Sequence, residues 1–404
     1  MSAKKYNIVR KPKKTDEFMY AEEVDDDDDD KSSNSDAKKK MFRFMGIFVF
    51  VIIIGLLILY LISLMGGKHS YEYSDIEEVM KKAAIAYFED YPEYLPKESG
   101  TIVEVDSSNL VAAGKMKALN EYTKEGVLCT GKVLVEKSGA EYLYTPYLNC
   151  GDTYATIELY KKVLSNDPVV TTGYGLYSNN GAYVYRGEDV DNYVQLDNSV
   201  WRIVKITSNN ELMMISDTGT PYAQPWDDRY NEERFYESGI NQYSASRVKE
   251  YLEKIYENPS HDDGEDLLST VDKTRVLPFT VCSAKRTVSS ETKNNSEECT
   301  EVLRDQMMGL LTLSEYMYAS IDPNCKSSET KSCKNYNYLT KDFDWWLVTA
   351  NKDDSSTVFK VDNNGIAVTD NASTYSIVRP VILLNSKVLF NGGEGTKEDP
   401  YKVR

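Results

Sequence analysis

The 404-residue chain carries 64 acidic against 47 basic residues, a net charge of −17, and only two histidines. Charge of that sign disfavours nucleic acid and anionic lipid headgroups as partners. Two histidines, His69 and His261, leave little from which to build a His-based triad or a zinc centre.

Residues 1–40 hold ten basic and eleven acidic residues, including the unbroken run of Asp25 to Asp30, without apolar periodicity. They read as a disordered tail: either a docking site for a cytoplasmic partner or a solvated segment that supports topology. Phe44 to Met65 are uncharged and mostly aliphatic, and as a helix of roughly 33 Å they would cross a bilayer. Lys38, Lys39, Lys40 and Arg43 precede this stretch, whereas only Lys68 and His69 follow closely. Residues 41–67 are therefore expected to be an uncleaved signal-anchor, with the N-terminus cytoplasmic and residues 68–404 outside. The exported part keeps 36 basic and 53 acidic residues, and its length calls for two domains.

Next, Ser74 is expected to cap a helix running to about Asp90, where Ile76, Val79, Met80, Ala83, Ala84, Tyr87 and Phe88 form one stripe. A short helix is expected over residues 107–119. Residues 129–136 and 141–148 alternate as a hairpin, and Cys129 and Cys150 stand at its open ends. Beyond a linker near 165–172, strands are expected over 192–206 and 211–216. A helix capped by Ser244 or Ser246 should follow, then a strand over 309–313 leading into a helix capped by Ser314. Residues 345–349, 358–361 and 378–384 complete a strand-rich end. The loop 261–266 reads as a solvated turn or a calcium loop.

All six cysteines, Cys129, Cys150, Cys282, Cys299, Cys325 and Cys333, lie in the exported part. They read as three disulfides; fifteen pairings are possible and the spacing favours sequence neighbours. No G-x-S-x-G, H-E-x-x-H or phosphate-cradling glycine loop occurs. The pairs Asp227-Asp228, Asp262-Asp263 and Asp353-Asp354 follow from an acidic composition as readily as from glycosidase chemistry. No enzyme, cofactor or metal is called for. Trp345 and Trp346 are strand neighbours, so either one is core and one exposed, or both are buried.

The order W-R-I at residues 201–203, T-x-x-E-Y at 312–316, W-W-x-x-T at 345–349, V-R-P at 378–380 and G-x-G-T-x-x-D-P-Y at 393–401 resembles a domain-of-unknown-function family. Its members are surface proteins of Gram-positive bacteria and their wall-less relatives. The resemblance covers residues 170–404, while 70–165, with Y-T-P-Y-L-N-C at 144–150, resembles the pilin-like module that often precedes it. The long charged leader departs from true pilins. The W-W and V-R-P pattern is also similar to C-type-lectin-like domains. It implies an α+β architecture in which Trp201, Trp345 and Arg379 are structural locks.

The resulting expectation is a single-pass cell-surface protein with one transmembrane helix, a small pilin-like α+β domain and a larger C-type-lectin-like α+β domain. Its outer domain would bind a glycan or protein without catalysis, through loops near Trp226 and between Thr349 and Asp370. The residues expected there are Trp226, Asp227, Trp346 and Asp353. A transmembrane sensor or scaffold coupled to the tail, and an envelope glycan hydrolase, are the other readings.

Overall fold

The computed structural model describes residues 71–234, 238–257, 267–268 and 273–404. The expected tail, the anchor at 44–65 and the loop 261–266 lie outside the described residues. No helix among the described residues is long and apolar enough to cross a membrane. Residues Tyr71–Arg404 form one compact unit of mixed α+β structure built around two hydrophobic cores.

The first core lies under helix α1 (Tyr73–Asp90). Its stripe of Ile76, Met80, Ala83, Ala84 and Phe88 is buried against an antiparallel sheet of β1 (Ile102–Asp106), β2 (Thr130–Ser138) and β3 (Glu141–Asn149). The helix begins a residue before Ser74. Glu72 takes the cap position, and its backbone N–H donates to the Asp75 carboxylate at 3.3 Å. The helix expected over 107–119 is broken: α2 (Ser107–Ala112) stops before Gly114, at φ +70°, and only a 3₁₀ turn follows at Leu119–Glu121.

The β2–β3 hairpin pairs Thr130 with Asn149, and the Cys129–Cys150 disulfide closes its open end. The bond encloses a loop with a sequence separation of 21, a constraint on the unfolded chain that contributes about 3 kcal/mol. Replacing both cysteines by serine should therefore lower the stability of the first core by that amount. Denaturant melts of wild type and the double variant check it; coincident midpoints would refute the clamp.

The second core is organised by an eight-stranded sheet. Its order is β10 (Val276–Leu277), β17 (Val381–Leu384), β8 (Leu212–Ser216), β7 (Ser199–Ile206), β5 (Ala182–Arg186) and β4 (Gly175–Asn179). β6 (Tyr193–Leu196) also pairs with the first half of β7, and β18 (Tyr401–Lys402) runs parallel to β6. The β4–β5 connection is Asn180-Gly181, with φ +50° and +81°. Positive φ at both central residues gives the turn the twist a two-residue hairpin needs.

Helices α3 (Leu159–Asn166), α4 (Arg247–Glu257) and α5 (Leu313–Ala319) bury Leu159, Val163, Val248, Leu252, Ile255, Tyr316 and Met317 in this core. Thr312, rather than Ser314, caps α5: its Oγ1 accepts from the Glu315 N–H at 3.0 Å, and Glu315 accepts from the Thr312 N–H at 3.0 Å. The strand expected over 309–313 is reduced to a single bridge between Gly309 and Val381. Likewise β17 starts only at Val381, because Pro380 has no N–H to pair.

The remaining disulfides join Cys282 to Cys299 and Cys325 to Cys333. The first starts from β11 (Phe279–Cys282), which pairs with β12 (Val302–Gln306). The loop between its cysteines is pinned by Arg286, whose Nη1 donates to Glu298 at 2.9 Å. Both side chains of that ion pair are fully buried. Ser314 of α5 donates to the same glutamate at 2.8 Å.

The two cores meet through paired groups. Lys387 donates to Glu136 of β2 at 2.5 Å. Buried Glu77 of α1 accepts from the Tyr154 hydroxyl at 3.1 Å and also pairs with Thr156 and Arg404.

Candidate functional site

A three-stranded sheet, β13 (Trp345–Ala350), β14 (Thr357–Val361) and β15 (Ala367–Asn371), lies beside the short pair β9 (Gln224–Pro225) and β16 (Tyr375–Ser376). Two indoles stitch them together reciprocally. Trp226 Nε1 donates to the Leu347 carbonyl at 3.0 Å, and Trp346 Nε1 donates to the Gln224 carbonyl at 2.8 Å. Both rings are fully buried. The expectation that they contact ligand is corrected here, because an indole with no accessible surface has no face to offer. They are the brace beneath a loop surface.

Above this brace lie the loop segments 227–234, 238–242 and 351–356. Asp227 is buried too. Its carboxylate accepts from Arg229 Nε at 2.8 and 3.1 Å, and from the N–H groups of Arg229 and Ile240 at 3.0 and 3.2 Å. An occupied, inaccessible carboxylate is an anchor for its loop, which corrects its expected role as a ligand contact. Gly239 makes the return possible. At its φ of +79° a Cβ would fall 1.9 Å from the Asp227 carbonyl oxygen, so only glycine fits.

Two buried asparagines tie the loops together. Asn231 Nδ2 donates to the carbonyls of Gly239 at 2.7 Å and Ser355 at 3.3 Å. Asn241 Nδ2 faces the carbonyls of Asn351, Asp354 and Thr357 at 2.8, 2.6 and 2.8 Å, while its Oδ1 accepts from Lys285. Arg234 pairs with Asp354 at 2.6 Å. Burial opposes ionisation of Asp354, but hydrogen bonds from Ser356 and the Arg234 charge hold its carboxyl below the ordinary range.

Between the loops opens a cleft of about 550 Å³. Asn231, Ile240 and Asn241 belong to its lining, with Tyr230, Glu232, Glu233, Gln242, Lys285, Glu301 and Ser355. Tyr230 is 56 % exposed, an aromatic face on loop segments tied together by the buried asparagines. The one lysine is engaged by Asn241, so three glutamates set the charge. Such a cleft can stack a ring, accept hydrogen bonds from hydroxyl or ammonium groups, and repel anions.

The structure thus brings the regions of Trp226, Asp227, Trp346 and Asp353 together, in different roles from those expected. Asp353 is exposed on the second loop, its N–H donating to Asn351 at 3.1 Å, and is not among the residues lining the cleft. Tyr230, Gln242 and Lys285 were not legible as site residues. Tyr-Asn-Glu-Glu at 230–233 carried a weak signal, an aromatic inside a polar loop; Lys285 arrives from the distant Cys282–Cys299 loop and carried none. No group of three or more His, Cys, Asp or Glu among the described residues is placed to hold a metal ion.

Trp201, Trp345 and Arg379 are all fully buried. Arg379 donates from Nε to the Ser216 carbonyl at 2.9 Å and from Nη1 to the Leu339 carbonyl at 3.0 Å, with its guanidinium 4.6 Å from the Trp345 ring centroid. No family model, curated protein or solved structure matches this chain.

Proposed function

We propose that the protein is held in the cell membrane by residues 44–65 and presents residues 68–404 outside the cell, where the larger domain binds glycan without catalysis. On this reading the first core is a pilin-like spacer and the second a C-type-lectin-like module. The observation that carries the proposal is the cleft around Tyr230: an exposed aromatic face beside carboxylates, an amide and a hydroxyl, on loops fixed by buried asparagines. Sugars offer an apolar ring face and many hydroxyl donors, which match those groups. Fixed loops also reduce the ordering cost of binding. Three disulfides suit the oxidising side of a membrane.

The test is retention of oxidised, full-length protein in detergent on isolated cell-wall glycan and on host glycans. Intact glycan should be retained, and Tyr230→Ala should weaken it about ten-fold, the loss of one aromatic anchor. Tyr230→Phe should keep most of the affinity. Release of glycan fragments would replace this reading with the hydrolase. Recovery of a protein partner with no glycan bound would replace it with the sensor or scaffold.

A further inference from the structure

The cleft at Tyr230 has a charge asymmetry that narrows its ligand. Glu232, Glu233 and Glu301 line it, all three are exposed, and none has a side-chain hydrogen bond or ion pair among the described residues. The cations nearby are engaged. Arg229 is held by Asp227 at 2.7 Å and Arg234 by Asp354 at 2.6 Å. Lys285, the one cation in the lining, donates to Asn241 Oδ1. Lys352 sits on the 351–356 segment but outside the lining. Three open carboxylates therefore face one ammonium that is occupied by a neutral amide.

An ionised carboxylate only accepts hydrogen bonds, and the exposed Tyr230 ring attracts positive charge to its face. A protonated amine answers both demands, because it brings three N–H donors and one positive charge. Acetylating that amine leaves a single N–H and no charge, and a sugar acid is repelled outright. Asn231 and Asn241 hold the loop segments from which Tyr230 and two of the glutamates project, so the ring and the carboxylates are presented together without an ordering step.

From this juxtaposition we infer that the cleft selects glycan whose sugars carry free amines, with Tyr230 against the sugar ring and Glu232, Glu233 and Glu301 as counter-charges. Such selection rests on the cleft being a glycan site, and adds to it the sign of the ligand's charge.

The experiment is calorimetric titration of full-length protein in detergent with the tetramer of glucosamine and with its fully N-acetylated counterpart. A mildly acidic buffer keeps the amines protonated and the glutamates ionised. The free-amine oligomer should bind about ten-fold more tightly, the combined effect of a few exposed charge pairs, and added salt should shrink the preference. The triple change Glu232→Gln, Glu233→Gln and Glu301→Gln should abolish the preference and leave binding of the N-acetylated oligomer in place, with a thermal melt confirming the fold. A protein of net charge −17 attracts cations over its whole surface. The control is therefore Glu93→Gln, Glu125→Gln and Glu141→Gln, three exposed positions on the first core's surface, which should keep the preference. Equal or tighter binding of the N-acetylated oligomer would overturn the selection and leave the glycan reading standing. So would an equal loss of preference in the control, which would assign it to bulk charge. Binding of neither oligomer would overturn both.

Discussion

Arg379→Ala is expected to lower the unfolding free energy of the second core by about 3–5 kcal/mol, the range for emptying a large buried site. The change strands the carbonyls of Ser216 and Leu339 without their donors and opens a void against Trp345. Burial lowers the Arg379 pKa to about 10, against the opposing pull of the Asp217 charge, so the group is still charged at neutral pH. Arg379→Lys should recover only part of the loss. One ammonium cannot span two carbonyls from different elements while lying flat on an indole. Tryptophan fluorescence in a guanidinium series reads the result directly, because all four tryptophans are fully buried in this core. An unchanged midpoint for Arg379→Ala would show that the guanidinium holds nothing together.

Raising the pH above 10 should unfold the second core cooperatively. Tyr185, Tyr243, Tyr316 and Tyr338 are buried there, and burial is the leading cause that raises each phenol above its ordinary value of 10.0. The folded state therefore holds these protons more tightly than the unfolded chain. Their contribution is fully present below pH 10 and is lost as pH climbs towards the folded values. Each unit of separation corresponds to about 1.4 kcal/mol per group. Lys341 has the opposite sign. Burial, ahead of the Arg379 charge and against the pull of Asp217, lowers it to about 8. Its penalty is complete below pH 8 and is relieved as the pH rises from there towards the ordinary lysine value near 10.5. Tyrosinate absorbance checks the outcome. The buried phenols should ionise only together with the fluorescence change. Buried phenols that ionise without unfolding would contradict it.

Elements governed by local rules were legible in the sequence. The α1 stripe, the β2–β3 hairpin and the Cys129–Cys150 clamp each follow from spacing within one stretch, and all three disulfides join sequence neighbours. Errors arose where a local signal was overruled by a partner far along the chain. Trp226 and Trp346 read as binding aromatics, yet each indole finds its carbonyl about 120 residues away in sequence. Asp227 read as a ligand contact, but its carboxylate is taken by the N–H of Ile240 and by Arg229. The Thr312–Glu315 capping box wins over Ser314, whose hydroxyl donates to Glu298 instead.

The contact between Glu77 and Arg404 has a topological consequence. Glu77 lies near the start of α1, so the two limits of the compact unit stand side by side. A chain with neighbouring limits tolerates being rejoined there and reopened elsewhere, or being carried as an insert within another protein. The exposed turn at Gly139-Ala140 offers a place to reopen it. Such a permuted form would keep both cores and the cleft at Tyr230.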